Sequence, residues 1–266
     1  MHKSIINDIA SGNTLIGSGV PFDSVFFRQT MHACWALKKS GGINLAWASG
    51  GPSHTHQFIA SNGILILSYD QGNAIIEHLY EDNGADIIME YADKPDVDET
   101  DMPFINAGHF YNPAKGTNYW GKTSPTANQR FCVHYGAAVY NYSSNKKFAW
   151  QELGRAIHYL SDLNVPHHAS NRTPLDSNHS VYEKWVDANR FNYIITSCPN
   201  EVYKYCMDNS IWVIGHKMAV NANSNIQYAL QSDEKSMHIA ATNTLKEAQK
   251  FTAGIYLKFL KEVREV

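Results

Sequence analysis

The sequence predicts an all-α protein, and three observations lead to this class. Apolar residues recur at helical spacing in most segments after residue 55. Clean alternation of apolar and polar residues, which would indicate half-buried strands, is rare. The chain also carries no glycine fingerprint of a nucleotide-binding sheet and no phosphate-binding loop. We therefore expect a single domain of about seven helices around one core, with long loops on one side.

The first 46 residues differ from the rest of the chain. They are rich in glycine and serine, and one short helix is predicted at 22–38, before a hinge at Gly41-Gly42. No basic start precedes an apolar core, so this stretch does not read as a secretory signal peptide. We interpret 1–46 as an N-terminal arm or pro-segment, and 47–266 as the functional domain.

Helical spacing then predicts the elements of that domain in order. Helical pattern runs from His56 to Leu79, weakened at Gly63 and Gly72, and is broken at Asn83-Gly84. Because Pro166 disfavours helix at the residue before it, it should end the helix that carries Leu153 and Ile157. The other predicted helices span 85–91, 128–141, 148–164, 181–193, 199–220 and 240–263.

A loop at 95–121 separates the first helices from the later ones. It begins acidic and becomes aromatic and rich in glycine and proline. Loops of this length inside a compact domain are usually functional, so we expect part of the site here.

The composition and net charge of the chain exclude some classes of protein. The 266 residues are 44% hydrophobic and 18% charged with a net charge of −3, which is typical of a soluble globular domain. This charge gives no electrostatic case for binding nucleic acid. No apolar run is long enough for a transmembrane helix. Of the four cysteines, Cys198 and Cys206 could pair across a turn or remain free thiols.

The segment from His158 to Glu183 concentrates potential metal ligands. His158 and Asp162 are four residues apart, as are His179 and Glu183, and His168 lies between the pairs. On a helix, residues four apart share a face and can direct two ligand atoms at one point. A single such pair is usually only a solvated pair, but two pairs around a Pro-His turn favour a metal site. Five ligands exceed the needs of one tetrahedral ion, which suggests clustered metals and phosphate-ester chemistry.

Three stretches resemble the bacterial zinc-dependent phospholipase C family. HYLSDLNVPHHASN, which begins at His158, resembles the central signature of this family. GHFYNP, from Gly108, resembles a second signature, HFxxP, and WASGGPSHTHQFI, from Trp47, resembles the start of a mature enzyme. The resemblance implies the catalytic domain alone, in the all-α fold that phospholipase C shares with P1 nuclease.

The resemblance also implies three zinc ions in one cleft. The ligand sets that it implies are His109, His158 and Asp162; His168, His179 and Glu183; and His56, Asp162 and Trp47. In the family this tryptophan binds through its own α-amino nitrogen and carbonyl oxygen. Because an amide nitrogen is a very poor zinc ligand, we expect a cut between Ala46 and Trp47 before the third ion binds well.

The same resemblance implies an enzymatic activity. We expect a secreted, monomeric enzyme that meets membranes transiently and hydrolyses glycerophospholipids to diacylglycerol and a phosphorylated headgroup. The expected general base is Asp96, with Asp98 as the alternative. Phe104 and Tyr111 are candidate substrate contacts. Two other functions stay open: a trizinc single-strand nuclease, and a metal-binding protein without turnover.

The resemblance does not extend to the residues that recognise choline in this family. Members of the family that prefer phosphatidylcholine place a carboxylate and two aromatic residues where they can meet a quaternary ammonium. The corresponding positions in this chain are Gly50, Val97 and Asn106. A headgroup other than choline is therefore plausible.

Overall fold

The computed structural model describes residues 54–101 and 106–263. Within these residues the regular structure is helical, apart from one isolated antiparallel bridge between Asn112 and Thr117. The α-helices are α1 (Thr55–Gln71), α2 (Asn73–Tyr80), α3 (Gly84–Tyr91), α4 (Pro95–Asp98), α5 (Ala127–Asn141), α6 (Lys146–Asp162), α7 (Pro166–Ala169), α8 (His179–Asn189), α9 (Asn200–Asp208), α10 (Ile211–Ser224), α11 (Ile226–Ala229) and α12 (Glu234–Glu262). Three 3-10 helices span Glu81–Asn83, Ala107–His109 and Arg190–Tyr193.

The predicted all-α class is confirmed, but the chain has more helices than predicted. The helix predicted at 199–220 is wrong as a single element, because it divides into α9 and α10 at Asn209. Ser210 is extended there, and its side chain accepts a hydrogen bond from the amide of Val213, so it caps the start of α10. Gly72 adopts a left-handed φ of 89°, which ends α1 before α2 begins. The acidic start of the predicted loop forms the single turn α4.

Some predicted features lie outside the described residues. These are the helix at 22–38, the hinge at Gly41-Gly42, Trp47 and Phe104. Cys198 and Cys206, for which two states were open, are buried free thiols.

Helix α6 lies at the centre of the main core. It packs against α5 on one side and α3 on the other. Trp150, Leu153, Ile157 and Leu160 are fully buried along it. Since Asn145 caps its start and Pro166 prevents its continuation, α6 has a defined length and delivers its last turns to a fixed place.

Helices α1 and α12 form the second long contact of the fold. Gly63 of α1 lies so close to α12 that a Cβ there would be 2.4 Å from Thr252 Cγ2. This approach buries α1 on nearly all sides, with Ile59, Ile66 and Leu67 at 0% exposure. The first turn of α1 is therefore held rigidly against the bundle.

The structure also bears on membrane crossing. Among the described helices, none combines the length and the apolar composition that a bilayer span requires.

The contact between α6 and α3 gives a stability prediction. A Cβ on Gly154 would lie 2.5 Å from the backbone oxygen of Ile88, so Gly154→Ala should lower the free energy of unfolding by about 1–3 kcal/mol. Gly136→Ala is the matched control, because no neighbour lies within 4 Å of a Cβ there. It should stabilise its helix by about 0.5–1 kcal/mol. Urea unfolding of both variants measures the difference, and equal stabilities would contradict the close packing.

Candidate metal centre

Separate parts of the chain bring their polar side chains to one buried region. Pro166 turns the chain after α6 and opens α7, so His168 faces back toward the end of α6. The contributors are His56 in the first turn of α1, Asp96 in α4, His109 at the end of its 3-10 helix, His158 and Asp162 in the last turns of α6, His168 in α7, and His179 and Glu183 at the start of α8.

The carboxylate of Asp162 is the centre of this group. Its Oδ2 lies 2.9 Å from Nδ1 of His109 and 3.2 Å from Nε2 of His158. Its Oδ1 lies 3.1 Å from Nδ1 of His168 and 4.0 Å from Nε2 of His56. One carboxylate, 1% exposed, therefore meets four imidazoles from different parts of the chain.

Glu183 forms a second centre beside the first. Its Oε1 lies 2.7 Å from Nε2 of His179 and 3.4 Å from Nε2 of His168. The ring of His168 thus places one nitrogen near Asp162 and the other near Glu183, and it joins the two clusters. His168, His179 and Glu183 form a compact, buried set of potential ligand atoms.

Asp96 and Asp98, the two candidates for the general base, have different surroundings in α4. Asp96 Oδ1 lies 3.5 Å from His109 Nδ1 and 3.6 Å from His158 Nε2. Asp98 instead accepts hydrogen bonds from Arg155 at 2.7 and 2.5 Å, and its side chain is 44% exposed. Only Asp96 of this pair is close enough to act with the cluster.

His158 is oriented by the backbone behind it. Its Nδ1 is 2.8 Å from the carbonyl oxygen of Ala92, which assigns the proton to Nδ1. Its Nε2 is then left for Asp162 or for a metal.

The charged groups of the cluster shift one another's pKa values. Burial alone would lower the pKa values of His158 and His168, but the charge of Asp162, together with hydrogen bonds and a second carboxylate beside each ring, raises them to about 9 and about 10. Burial would raise the pKa of Asp162, yet the charges of His158 and His168 hold it well below its ordinary value. Protonated imidazoles therefore stabilise the ionised carboxylate of Asp162, as a bound cation would.

Two other carboxyl groups have raised pKa values, in contrast to Asp162. Burial raises the pKa of Asp96, despite the opposing charges of His158 and His109. Burial raises the pKa of Asp93 to about 8, with a further contribution from Asp96. A pattern of ligand spacing could not have singled out Asp93, because it forms no such pair in the sequence.

The donor set fits a metal ion. His109 Nε2 is buried without a hydrogen-bond partner in the described structure, and the buried Asp162 Oδ1 and His168 Nδ1 lie 3.1 Å apart without hydrogen-bond geometry. Buried polar atoms are normally hydrogen-bonded, so such orphans need another partner. Imidazole nitrogen and carboxylate oxygen are ligands that zinc accepts.

Tyr111, predicted as a substrate contact, is directed elsewhere. Its ring is buried, and its hydroxyl pairs with His216 Nδ1 at 2.9 Å. The structure therefore does not bring its hydroxyl to the metal cluster. His167, the neighbour of His168, stacks on the ring of His179 at 5.0 Å and pairs with Asn178.

Comparison with known proteins agrees with the geometry. The family model for zinc dependent phospholipase C matches residues 55–250, which is most of the chain. The chain belongs to the zinc-dependent phospholipase C family. The resemblance to this family is thereby confirmed, and so is the zinc dependence that it implies. Residues 47–54, the first part of the third stretch, lie before the matched range.

Individual members of the phospholipase C family share only a minority of their residues with this chain. A phospholipase C of Paraclostridium bifermentans is 28% identical over 84% of this chain and 63% of its own length. One of Bacillus cereus is 29% identical over 56% of this chain and 53% of its own length. The alpha toxin of Clostridium absonum has the same fold, with a TM-score of 0.71 at 23% identity, and it is matched over 79% of this chain and 63% of its own. The chain thus spans less than two thirds of these relatives.

Metal content tests the central position of Asp162. Asp162→Asn should weaken zinc binding more than Glu183→Gln does, because Asp162 meets four imidazoles and Glu183 meets two. The loss should exceed the roughly 10–100-fold that removal of a residue behind a ligand causes. Zinc per chain is measured by mass spectrometry after dialysis, with exposed Asp208→Asn as control. A smaller loss in Asp162→Asn than in Glu183→Gln would contradict this arrangement.

Proposed function

We propose that the chain is a zinc-dependent phospholipase C that cleaves glycerophospholipids into diacylglycerol and a phosphorylated headgroup. The observation that carries this proposal is the convergence of four histidines on Asp162, beside the second cluster at Glu183. Membership of the family supports the reaction class.

The ligand sets in this proposal are those of the family. His109, His158 and Asp162 would hold one ion, and their potential ligand atoms lie within hydrogen-bond distance of one another. The second ion would be held by His168, His179 and Glu183, and the third by His56, Asp162 and Trp47. When bound, zinc would neutralise charge on the phosphodiester and lower the pKa of a water molecule.

Asp96 would serve as the general base. It lies beside His109 and His158, and its raised pKa suits a group that takes up a proton during turnover. The water whose proton it accepts would add to phosphorus, as the bond to the diacylglycerol oxygen breaks. A proton then returns to that oxygen.

Residues 1–46 would be removed before full activity. A free α-amine at Trp47 has a lone pair for zinc, whereas the amide in the uncut chain does not. We further propose that the mature protein is secreted and monomeric and meets lipid only transiently.

A substrate panel tests this function. Protein beginning at Trp47 should release phosphorylated headgroups from phosphatidylcholine or phosphatidylethanolamine vesicles and leave single-stranded DNA intact. Protein beginning at Met1 should bind less zinc and turn over more slowly, because its Trp47 nitrogen is an amide. Release of nucleotides in place of headgroups would indicate a nuclease. Bound zinc without hydrolysis of any diester would indicate a metal-binding protein.

The two acidic residues of α4 form a matched pair for the base assignment. Asp96→Asn should lower kcat by about 10²–10⁴-fold at unchanged zinc content, as expected for loss of a general base. Asp98→Asn should retain most activity, since Asp98 pairs with Arg155 outside the cluster. Undiminished turnover in Asp96→Asn would rule out its role.

A further inference from the structure

Two short turns carry Asp96 and His109, and one arginine of α5 lies between them. Asp96 belongs to α4, which the amide of Glu99 closes by donating to the carbonyl of Pro95 at 2.9 Å. His109 ends the 3-10 helix Ala107–His109. Their side chains come within 3.5 Å of each other, although the described residues between them form no long helix or strand.

Arg130 contacts both turns through carboxylates. Its Nη1 donates to Glu99, which closes the Asp96 turn, and its Nη2 donates to Asp101. Asp101 in turn accepts the amide hydrogen of Gly108 at 2.7 Å, one residue before His109. A planar guanidinium can hold two carboxylates in fixed relative positions, which a flexible ammonium cannot.

The backbone conformation at Asp101 and Gly108 is specific to this contact. Asp101 adopts a left-handed φ of 52°, an unfavourable conformation for a residue with a side chain. A Cβ on Gly108 would lie 2.6 Å from both Arg130 Nε and Asp101 Oδ2, so the approach requires glycine at this position. Gly108, the residue before the second signature, thus allows the turn of His109 to approach Arg130 and Asp101 closely.

Glu99 anchors the contact to the rest of the protein. Tyr159 of α6 donates its hydroxyl hydrogen to Glu99 at 2.9 Å, and His134 Nε2 lies 3.2 Å away. Burial would raise the pKa of Glu99, but the hydrogen bonds from His134 and Tyr159 and the charge of Arg130 lower it well below its ordinary value. Glu99 is therefore a fixed anion at the hydroxyl of Tyr159, and the ring of Tyr159 packs against His109 at 5.2 Å and His158 at 5.0 Å.

We infer that Arg130 is a positioning residue that ties the turn of Asp96 to the turn of His109 and sets the spacing of these two groups at the metal cluster. It touches neither substrate nor metal and acts through Glu99 and Asp101. Its effect on turnover rests on the proposed function, whereas its effect on metal binding does not.

Arg155 provides the matched control. It also pairs with Glu99, at 2.5 Å, and with Asp98, but the structure gives it no contact with Asp101 or Gly108 in the described residues. Replacing either arginine by methionine removes one positively charged partner of Glu99. Only Arg130→Met releases the turn that carries His109.

Cobalt titration of the metal-free protein tests the inference. In Arg130→Met, the cobalt ion that is lost in a His109→Ala reference variant should bind about 10–100-fold more weakly, with a changed visible absorption spectrum. Arg155→Met should retain the parental spectrum and lose less affinity. The absorption of cobalt at the Glu183 cluster should stay unchanged in both variants.

A kinetic measurement accompanies the titration. On phospholipid vesicles, kcat of Arg130→Met should fall with little change in KM, because the variant misplaces Asp96 and His109 without touching the substrate. If no diester is hydrolysed by the parent protein, the proposed function fails while the cobalt titration still decides the role of Arg130.

The inference would be overturned if Arg130→Met bound cobalt with the parental affinity and spectrum. It would also be overturned if Arg155→Met lost as much cobalt affinity as Arg130→Met. Circular dichroism monitors folding of each variant. If Arg130→Met does not fold, the isosteric Asp101→Asn decides, because it weakens the same link at its other end. It should show the same selective loss of cobalt at the His109 cluster, and parental behaviour would again overturn the inference.

Discussion

A buried carboxylate surrounded by imidazoles is the constraint on which the rest of the structure depends. Moving a carboxylate out of water costs several kcal/mol unless opposite charge or a metal compensates it. Asp162 receives that compensation from His56, His109, His158 and His168, which belong to four different helical segments. The cluster therefore holds these segments together, and a cation placed there would do so more strongly.

The same helix serves both the core and the cluster. Trp150 and Leu153 of α6 are fully buried, and two turns later His158 and Asp162 reach the site. A change in packing along α6 should move two ligands together. The loop side is held differently, through ion pairs of Arg130 and Arg155 with acidic residues beside Asp96. Apolar packing positions one wall of the site, and charge pairs position the other.

Much of the site could be predicted from residue spacing alone. The pair His158 and Asp162 lies on one helical face because residues four apart are neighbours there, and the structure places them 3.2 Å apart. Spacing could not decide between Asp96 and Asp98, since both belong to one turn and only the position of Arg155 separates them. The family resemblance also suggested Tyr111 as a substrate contact, whereas its hydroxyl meets His216 on α10.

The sequence by itself determined the helical class, the family and the residues that could hold metal, because these depend on periodicity, local motifs and side-chain chemistry. Only the tertiary structure decided that His168 joins two carboxylates, that the helix predicted at 199–220 divides at Asn209, and that Arg130 spans two turns. Contacts of this kind join residues far apart along the chain. Their geometry depends on how whole helices pack, which no local pattern encodes.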